Sequence, residues 1–129
     1  MLFDKKRKNL FSDRHLLGRW GQKQCEIFLK KKGYKTLTKN FSCRTGEIDL
    51  IMTAGSGTVV FVEVKTRKNE NFADAEAAIT SAKKQRMKKA ANLFVKKHKL
   101  DDKPLRFDVV IVMADEKAKA RMRHYENAF

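Results

Sequence analysis

The sequence of 129 residues lacks any apolar run near the ~20 residues that a membrane-spanning helix needs. Its longest apolar stretches, at residues 58–62 and 109–114, have the length of single strands. It has two cysteines, Cys25 and Cys43, too few for a disulfide framework and without the C-x-x-C spacing of zinc or redox sites. These absences predict a soluble protein without a membrane partner, carrying free thiols in a reducing cytoplasm.

Other functional signals are absent as well. The clustered glycines of Gly55-Ser56-Gly57 suit a hairpin turn better than a phosphate-binding loop. The basic N-terminus is not followed by an apolar segment of about 7–15 residues, so no secretory signal is predicted. His15, His98 and His124 lack the spacing of metal ligands, and we expect them at the surface.

Acidic residues are scarce relative to basic ones. The chain has 30 Lys and Arg against 15 Asp and Glu, a formal charge of +15, which predicts a polyanionic partner, with nucleic acid as the first candidate. Hydrophobic residues make up 42% of the chain, enough for a packed core. We expect a flexible basic arm over residues 1–13 and a single domain over residues 14–129.

Hydrophobic periodicity predicts a mixed α/β sandwich. The expected order is a helix at residues 16–32 ended by Gly33, strands at 34–41, 47–53 and 59–65, helical segments at 72–79 and 81–99, and a strand at 106–113. The tail at residues 119–125 either adds an edge strand or stays loose. The long helix between two strands implies at least one parallel pairing in the sheet.

The second and third strands place three ionisable residues together. A three-residue loop at Gly55-Ser56-Gly57 would set Asp49 opposite Glu63, with Cβ atoms about 5 Å apart. Lys65 shares the face of Glu63 because side chains alternate along a strand. Two such carboxylates can hold Mg²⁺, while the ammonium helps to position or deprotonate a water beside a phosphodiester.

The alternative is a solvated charge cluster that contributes little. The flanking residues are nearly all apolar, which indicates strands buried on both faces, where three ionisable groups are costly unless they serve one another or a metal. Asp108 on the fourth strand either pairs with Arg106 or lines the site.

The long helix has basic side chains and no acid between residues 83 and 99, a density that indicates nucleic-acid binding. Lys83 falls on the apolar stripe of this helix, so it either reaches inward to the site or extends to solvent. The expected nucleic-acid contacts are Lys83, Lys84, Arg86, Lys88, Lys89 and, after the third strand, Arg67.

Several motifs follow one another in an order that resembles a known family. They are the segment from Gly18 to Gly33 with Gln22 four residues after its first glycine, T-G-E-I-D-L-I at residues 45–51, F-V-E-V-K-T-R at 61–67, Lys83, R-F-D-V at 106–109 and a final N-A-F. Together they resemble the YraN family of small bacterial proteins, which look like PD-(D/E)xK nucleases and are similar in layout to archaeal Holliday-junction resolvases. The resemblance spans nearly the whole chain.

The resemblance implies a restriction-endonuclease-like three-layer sandwich with a mixed sheet. It implies that Asp49 and Glu63 bind the metal and that Lys65 assists the water, the same residues that the strand pattern indicates. The family usually presents a glutamate on its first helix where this chain has Gln22. Glu26, one turn further along, either substitutes for it at the catalytic site or is an ordinary surface charge.

The first functional hypothesis is therefore a nuclease dependent on Mg²⁺ or Mn²⁺, with DNA favoured over RNA and branched DNA among the candidate substrates. Resolvase-like relatives suggest a homodimer, because symmetric cutting of two strands calls for two sites. The second hypothesis is a nucleic-acid-binding protein that keeps the nuclease fold without turnover, as Gln22 suggests. A third is docking of the basic face on an acidic protein or on ribosomal RNA.

Overall fold

The computed structural model describes residues 13–68, 71–117 and 119–129. In these ranges the chain forms, in order, α1 (Arg14–Lys31), β1 (Lys35–Cys43), β2 (Gly46–Thr53), β3 (Val59–Lys68), α2 (Phe72–Ala77), α3 (Ser81–Lys97), β4 (Leu105–Ala114) and β5 (Ala120–Tyr125). The tail thus adds the edge strand, the first of the two outcomes left open by its sequence.

The five strands form one mixed sheet in the order β1-β2-β3-β4-β5. Neighbouring strands are antiparallel except β3 and β4, which run parallel over ten paired positions. The connection between these two contains α2 and α3, so the predicted parallel pairing through the long helix is confirmed.

Helices cover both faces of the sheet, which gives the expected three-layer sandwich. On one face, Cys25 and Leu29 of α1 pack on a cluster that includes Leu50 of β2 and Val62 of β3. On the other face, α3 packs its apolar stripe on the intervening positions. That stripe consists of Met87, Ala90, Ala91, Phe94 and Val95, all of which are buried. Within the described ranges, no helix has the length and apolarity to cross a membrane.

Helix boundaries follow local capping. Asp13, which the sequence placed in the arm, is the N-cap of α1, and its Oδ1 accepts hydrogen bonds from the main-chain N–H of His15 and Leu16 at 2.9 and 3.2 Å. The helix therefore begins two residues earlier than predicted. Thr80 caps α3 by accepting from the N–H of Lys83 at 3.2 Å. The rest of the predicted arm lies outside the described residues.

The C-terminal ends of the helices also differ slightly from expectation. Gly33, with φ of +94°, follows the end of α1 as predicted, because glycine adopts this left-handed conformation readily. The long helix α3 ends at Lys97, two residues before the predicted end, and the chain turns at Lys99, whose φ is +54°. The short helix α2 ends at Ala77 and not at residue 79.

The hairpin between β2 and β3 has the predicted turn. Gly57 adopts φ of +90°, and the N–H of Ala54 donates to the Thr58 carbonyl at 2.9 Å. Leu50 consequently pairs with Val62 and Thr53 with Val59, which is the predicted register. Strand β3 continues to Lys68, three residues beyond the predicted end, because it remains paired with β4 up to Ala114.

A buried polar cluster lies on β4. Asp108 is fully buried and accepts from Arg106 through both carboxylate oxygens at 2.9 Å, from the N–H of Asn127 at 3.0 Å, and pairs with His124 Nε2 at 2.7 Å. The open question for Asp108 is thus resolved in favour of pairing with Arg106. His124 contradicts the surface expectation, since its side chain is nearly buried between Asp108 and the Lys32 ammonium, whose Nζ is 3.1 Å from Nδ1.

Candidate active site

The site begins where β2 and β3 separate. Their ladder runs from Thr53 and Val59 to Leu50 and Val62, one step short of the predicted pair of Asp49 and Glu63. At the next position the N–H of Val64 donates to Asp49 Oδ2 at 2.8 Å. The Asp49 side chain thus replaces a main-chain acceptor of β2, so the carboxylate is fixed at the fork between the two strands.

Glu63 is the least satisfied polar group in the site. Its side chain is only 7% exposed, and Oε1 lies 3.4 Å from the Lys83 ammonium of α3. Its second oxygen, Oε2, is buried without a hydrogen-bond partner. A buried carboxylate oxygen without a partner is costly unless a cation or a hydrogen-bond donor approaches it.

Burial disfavours the charged forms of both carboxylates, and a neighbouring acid adds to it in each case: Asp49 for Glu63 and Glu47 for Asp49. Burial is the main cause that raises the pKa of Glu63 to about 7, and the negative charge of Asp49 adds to it. The pKa of Asp49 is also raised, again chiefly by burial, although the Val64 N–H and Lys83 act in the opposite direction. Two neighbouring acids with raised pKa values are typical of a functional site.

Two lysines adjoin the carboxylates from different elements. Lys83, from the first turn of α3, reaches inward to Glu63 while remaining partly exposed, so the inward alternative is the observed one. Lys65 is half-buried, and burial together with the Arg67 cation lowers its pKa. In the part of the chain that the structure describes, the Lys65 ammonium has no ion-pair partner.

The carboxylates and Lys65 open onto a cavity of about 810 Å³ between β3 and α1. Gln22 lines this cavity, as its place in the motif predicts. The wall formed by α1 also includes Arg14, His15, Gly18 and Arg19, none of which was predicted as a site residue. The position of Gln22 could have predicted them, because residues one and two helical turns before it lie on the same face of the helix.

Close packing of α1 on β3 sets the position of this wall. A Cβ atom added to Gly21 would lie 1.9 Å from Thr66 Oγ1 and 2.8 Å from Thr66 Cβ. Glycine at this position therefore lets the helix approach the strand to a distance that no other residue permits. The neighbouring residue Gln22 is brought to the cavity by the same contact.

Glu26 does not line the cavity. Its carboxylate accepts a hydrogen bond from Thr36 Oγ1 at 2.6 Å and lies 3.5 Å from the ammonium groups of Lys30 and Lys39. These partners lower the pKa of Glu26 against the effect of burial. Glu26 is therefore part of an ion-pair group that joins α1 to β1, and its hydrogen-bond and ion-pair partners do not include Asp49 or Glu63.

The predicted nucleic-acid contacts fall into separate places. Arg67 lines the main cavity, and Lys83 and Arg86 line a smaller one of about 290 Å³ with Gly46, Glu47 and Met87. The ammonium of Lys84 lies 5.5 Å from the centre of the Phe129 ring, and Lys88 and Lys89 are exposed on α3. The structure therefore brings Lys83 and Arg67 to the carboxylates, while Lys88 and Lys89 line neither cavity.

A divalent cation suits the oxygen atoms at the fork. The unpartnered Glu63 Oε2 and the second oxygen of Asp49 are hard carboxylate ligands of the kind that Mg²⁺ and Mn²⁺ prefer. Among the residues that the structure describes, no group of three or more His, Cys, Asp or Glu side chains could complete such a site. A cation held by Asp49 and Glu63 would thus keep most of its ligand positions for water or substrate oxygen.

The fold and the site together define a class of protein: a three-layer α/β sandwich in which paired carboxylates and a lysine face a basic cavity. The family model described as Uncharacterised protein family UPF0102 matches residues 21–112. The chain belongs to this family, which is the YraN family indicated by its motifs.

Relatives match over nearly the full length. A UPF0102 protein of Pelotomaculum thermopropionicum is 39% identical over 117 residues, which cover 90% of this chain and 97% of the relative. Another, of Geotalea uraniireducens, is 38% identical over 118 residues and 92% of both chains. A third, of Syntrophomonas wolfei, is 41% identical over 113 residues, 88% of this chain and 96% of the relative.

Proposed function

We propose that the protein is a metal-dependent hydrolase of nucleic-acid phosphodiester bonds, with DNA as the favoured substrate. The observation that supports this most directly is the meeting of Asp49, Glu63 and Lys65 in the lining of one cavity, with Glu63 Oε2 buried and unpartnered. The net charge of +15 supports a polyanionic substrate, because it raises the local concentration of such a ligand around the site.

In this proposal Asp49 and Glu63 hold the cation, which would stabilise the charge that develops on the phosphoryl group. The Val64 N–H holds Asp49 in a fixed orientation, and Lys83 orients Glu63 through its contact with Oε1. Lys65, with its lowered pKa, binds the scissile phosphate or moves a proton to and from water near it.

The two free thiols are compatible with the expected location, the reducing cytoplasm. We extend the proposal to a homodimer, since a pair of sites would allow both strands of a duplex to be cut. Light scattering on the purified protein measures its mass in solution and so tests the homodimer directly.

Cleavage of labelled nucleic acids tests the function. The panel contains single-stranded DNA, duplex, flap, fork, four-way junction and RNA, each with Mg²⁺ or Mn²⁺. We expect metal-dependent cutting by the wild type and its loss, by at least about 100-fold, in Asp49→Asn and Lys65→Ala. The matched controls, Asp102→Asn and Lys97→Ala, change exposed residues outside both cavities and should retain activity.

A second function is favoured by one observation, the amide of Gln22 in the cavity where a third carboxylate would complete the acidic set. It is nucleic-acid binding without turnover. Saturable binding by the wild type with no cleavage of any substrate in either metal would support this alternative. Restoration of cutting by Gln22→Glu would then identify the missing ligand.

A further inference from the structure

One face of α1 lines the cavity along its N-terminal half. The lining residues of α1 are Arg14, His15, Leu17, Gly18, Arg19 and Gln22. All of them except Leu17 recur at intervals of one, three and four residues. Such spacing places them in a continuous stripe on one side of a helix. The stripe leads from the first turn of α1 to the carboxylate pair on β2 and β3.

The cations of this stripe are available to a ligand. Arg14 and Arg19 are both exposed, and neither forms an ion pair with any residue in the described ranges. Their guanidinium groups can each bind a phosphate through two parallel hydrogen bonds. By contrast, two cations near the C-terminal end of α1 have partners: Lys30 lies against Glu26, and Lys32 lies against His124 and the Phe28 ring.

Gly18 is a second and independent signal. It lies within a helix, where glycine is the least favourable residue after proline. A Cβ atom added there would meet nothing within 4 Å, so close packing does not require a glycine, unlike at Gly21. Because Gly18 has no side chain, it instead leaves the helix backbone accessible between the side chains of Arg14 and Arg19.

We propose that this stripe is a binding surface for the sugar–phosphate backbone of the strand that enters the site. Arg14 and Arg19 bind successive phosphates, and Gly18 lets the backbone approach the helix between them. Glu63, whose side chain is 7% exposed and whose Oε2 is buried without a partner, lines the same cavity. The inference rests on the proposed function, because it takes a nucleic acid as the ligand.

The surface differs from the one that the sequence indicates. The lysine-rich helix α3 packs on the opposite face of the sheet from α1, and Lys88 and Lys89 do not line the cavity. In this proposal the nucleic-acid strand in the site is therefore bound chiefly by α1 and by the end of β3, with Lys83 beside Glu63. Lys88 and Lys89 then contribute to the general attraction of the polyanion.

Binding measurements test the arginines. A 20-base-pair duplex and a 20-nucleotide single strand, each with a fluorescent label, are titrated with protein in EDTA at several KCl concentrations, and anisotropy is recorded. Each phosphate contact contributes about 0.9 to the slope of log K against log[salt] on a duplex. We expect Arg14→Gln/Arg19→Gln to lower that slope by about 2 and to weaken binding at least tenfold.

The matched control is Lys31→Gln/Lys103→Gln, which removes two positive charges from exposed positions outside the cavity. It should change the slope by far less. Equal changes in the control and in the arginine variant on both probes would overturn the proposal, because the effect would then be one of net charge alone.

Gly18→Leu separates a binding role from a structural one. Leucine is a much better helix former than glycine and meets no atom at the first carbon, so we expect an unchanged or higher Tm. The same side chain fills the stripe, and we expect at least tenfold weaker binding. A Tm that is kept together with unchanged affinity would contradict the proposal.

The outcomes are distinct from those of the cleavage panel. If the wild type binds DNA and never cuts, the hydrolase proposal fails while the stripe is still judged by the binding variants. If the wild type cuts and the arginine and Gly18 variants bind normally, the stripe is wrong and the hydrolase proposal stands. If the wild type binds neither DNA probe, the stripe is overturned.

Discussion

Glu63 and Asp108 are buried carboxylates on neighbouring strands, one step apart in the parallel ladder of β3 and β4. Asp108 has bonds to both oxygens from Arg106, His124 and the Asn127 N–H, and these partners lower its pKa despite burial. Glu63 has one contact to Lys83, an unpartnered oxygen and a pKa raised to about 7. Burial alone therefore does not distinguish these two acids, whereas the completeness of their hydrogen bonding does.

The largest expected effect is the loss of stability in Asp108→Ala. Removing this carboxylate leaves the largely buried side chains of Arg106 and His124 without their anionic partner. We therefore expect the free energy of unfolding at pH 7 to fall by about 3 kcal/mol. Urea denaturation measures it. Asp102→Ala, an exposed acid of the same charge, should change stability by less than about 0.5 kcal/mol. A loss below 1 kcal/mol in Asp108→Ala would remove the contrast with Glu63.

In the absence of divalent cations, we expect Glu63→Gln to raise the free energy of unfolding, the opposite of the change expected for Asp108→Ala. A carboxyl whose pKa rises from 4.5 in the unfolded chain to about 7 on folding contributes fully below pH 4.5, and this contribution is lost as the pH rises through 7. At pH 8 the charged Glu63 is a net cost, so the variant should be more stable than the wild type by on the order of 2 kcal/mol. Near pH 5 the difference should largely disappear. Urea denaturation at both pH values checks this, and a variant less stable than the wild type at pH 8 would show that Glu63 resembles Asp108.

Divalent cations should sharpen the same difference. A cation that binds the folded protein stabilises it by about 1.4 kcal/mol at a concentration ten times its Kd. Because the cation competes with the proton on Glu63, we expect Mg²⁺ to raise the Tm more at pH 8 than at pH 6. Thermal denaturation with and without MgCl₂ measures the shift. Glu63→Gln and Asp49→Asn should abolish it, and an undiminished shift in both variants would place the cation elsewhere.

The smallest effect belongs to Lys83→Gln. Its ammonium is partly exposed, so the contact with Glu63 at 3.4 Å contributes less than about 1 kcal/mol to stability. The same cation lowers the pKa of Glu63, and we expect its removal to move that pKa upward. Carbon-13 NMR of the Glu63 carboxyl group follows the titration directly. Lys84→Gln, whose ammonium lies on the Phe129 ring, is the control and should leave the titration unchanged.

Much of this arrangement could be predicted because it is local. The turn at Gly57, the register of β2 against β3 and the shared face of Glu63 and Lys65 follow from alternation along two strands joined by three residues. The caps of the helices, at Asp13 and Thr80, are short-range as well, but the sequence pattern placed Asp13 in the arm and so missed the first two residues of α1.

The remainder depends on contacts between residues distant in the chain. The fork at Asp49 arises from a bond to Val64, fifteen residues away, and the burial of His124 from β5 packing beside Asp108. The cationic wall of the cavity requires the depth at which α1 lies on β3, which the contact of Gly21 with Thr66 decides. The sequence pattern of a single segment does not predict how closely α1 packs on β3.

The bond from the Val64 N–H to Asp49 makes one amide proton a natural reporter. Amides in a regular ladder exchange with solvent when strands separate, so their exchange rates record the opening of the sheet. The Val64 amide instead depends on a carboxylate as its acceptor, and a charged acceptor holds a proton more firmly than a neutral one. Its exchange rate and chemical shift therefore follow the charge on Asp49, which lets a single backbone resonance report events in the cavity during a titration.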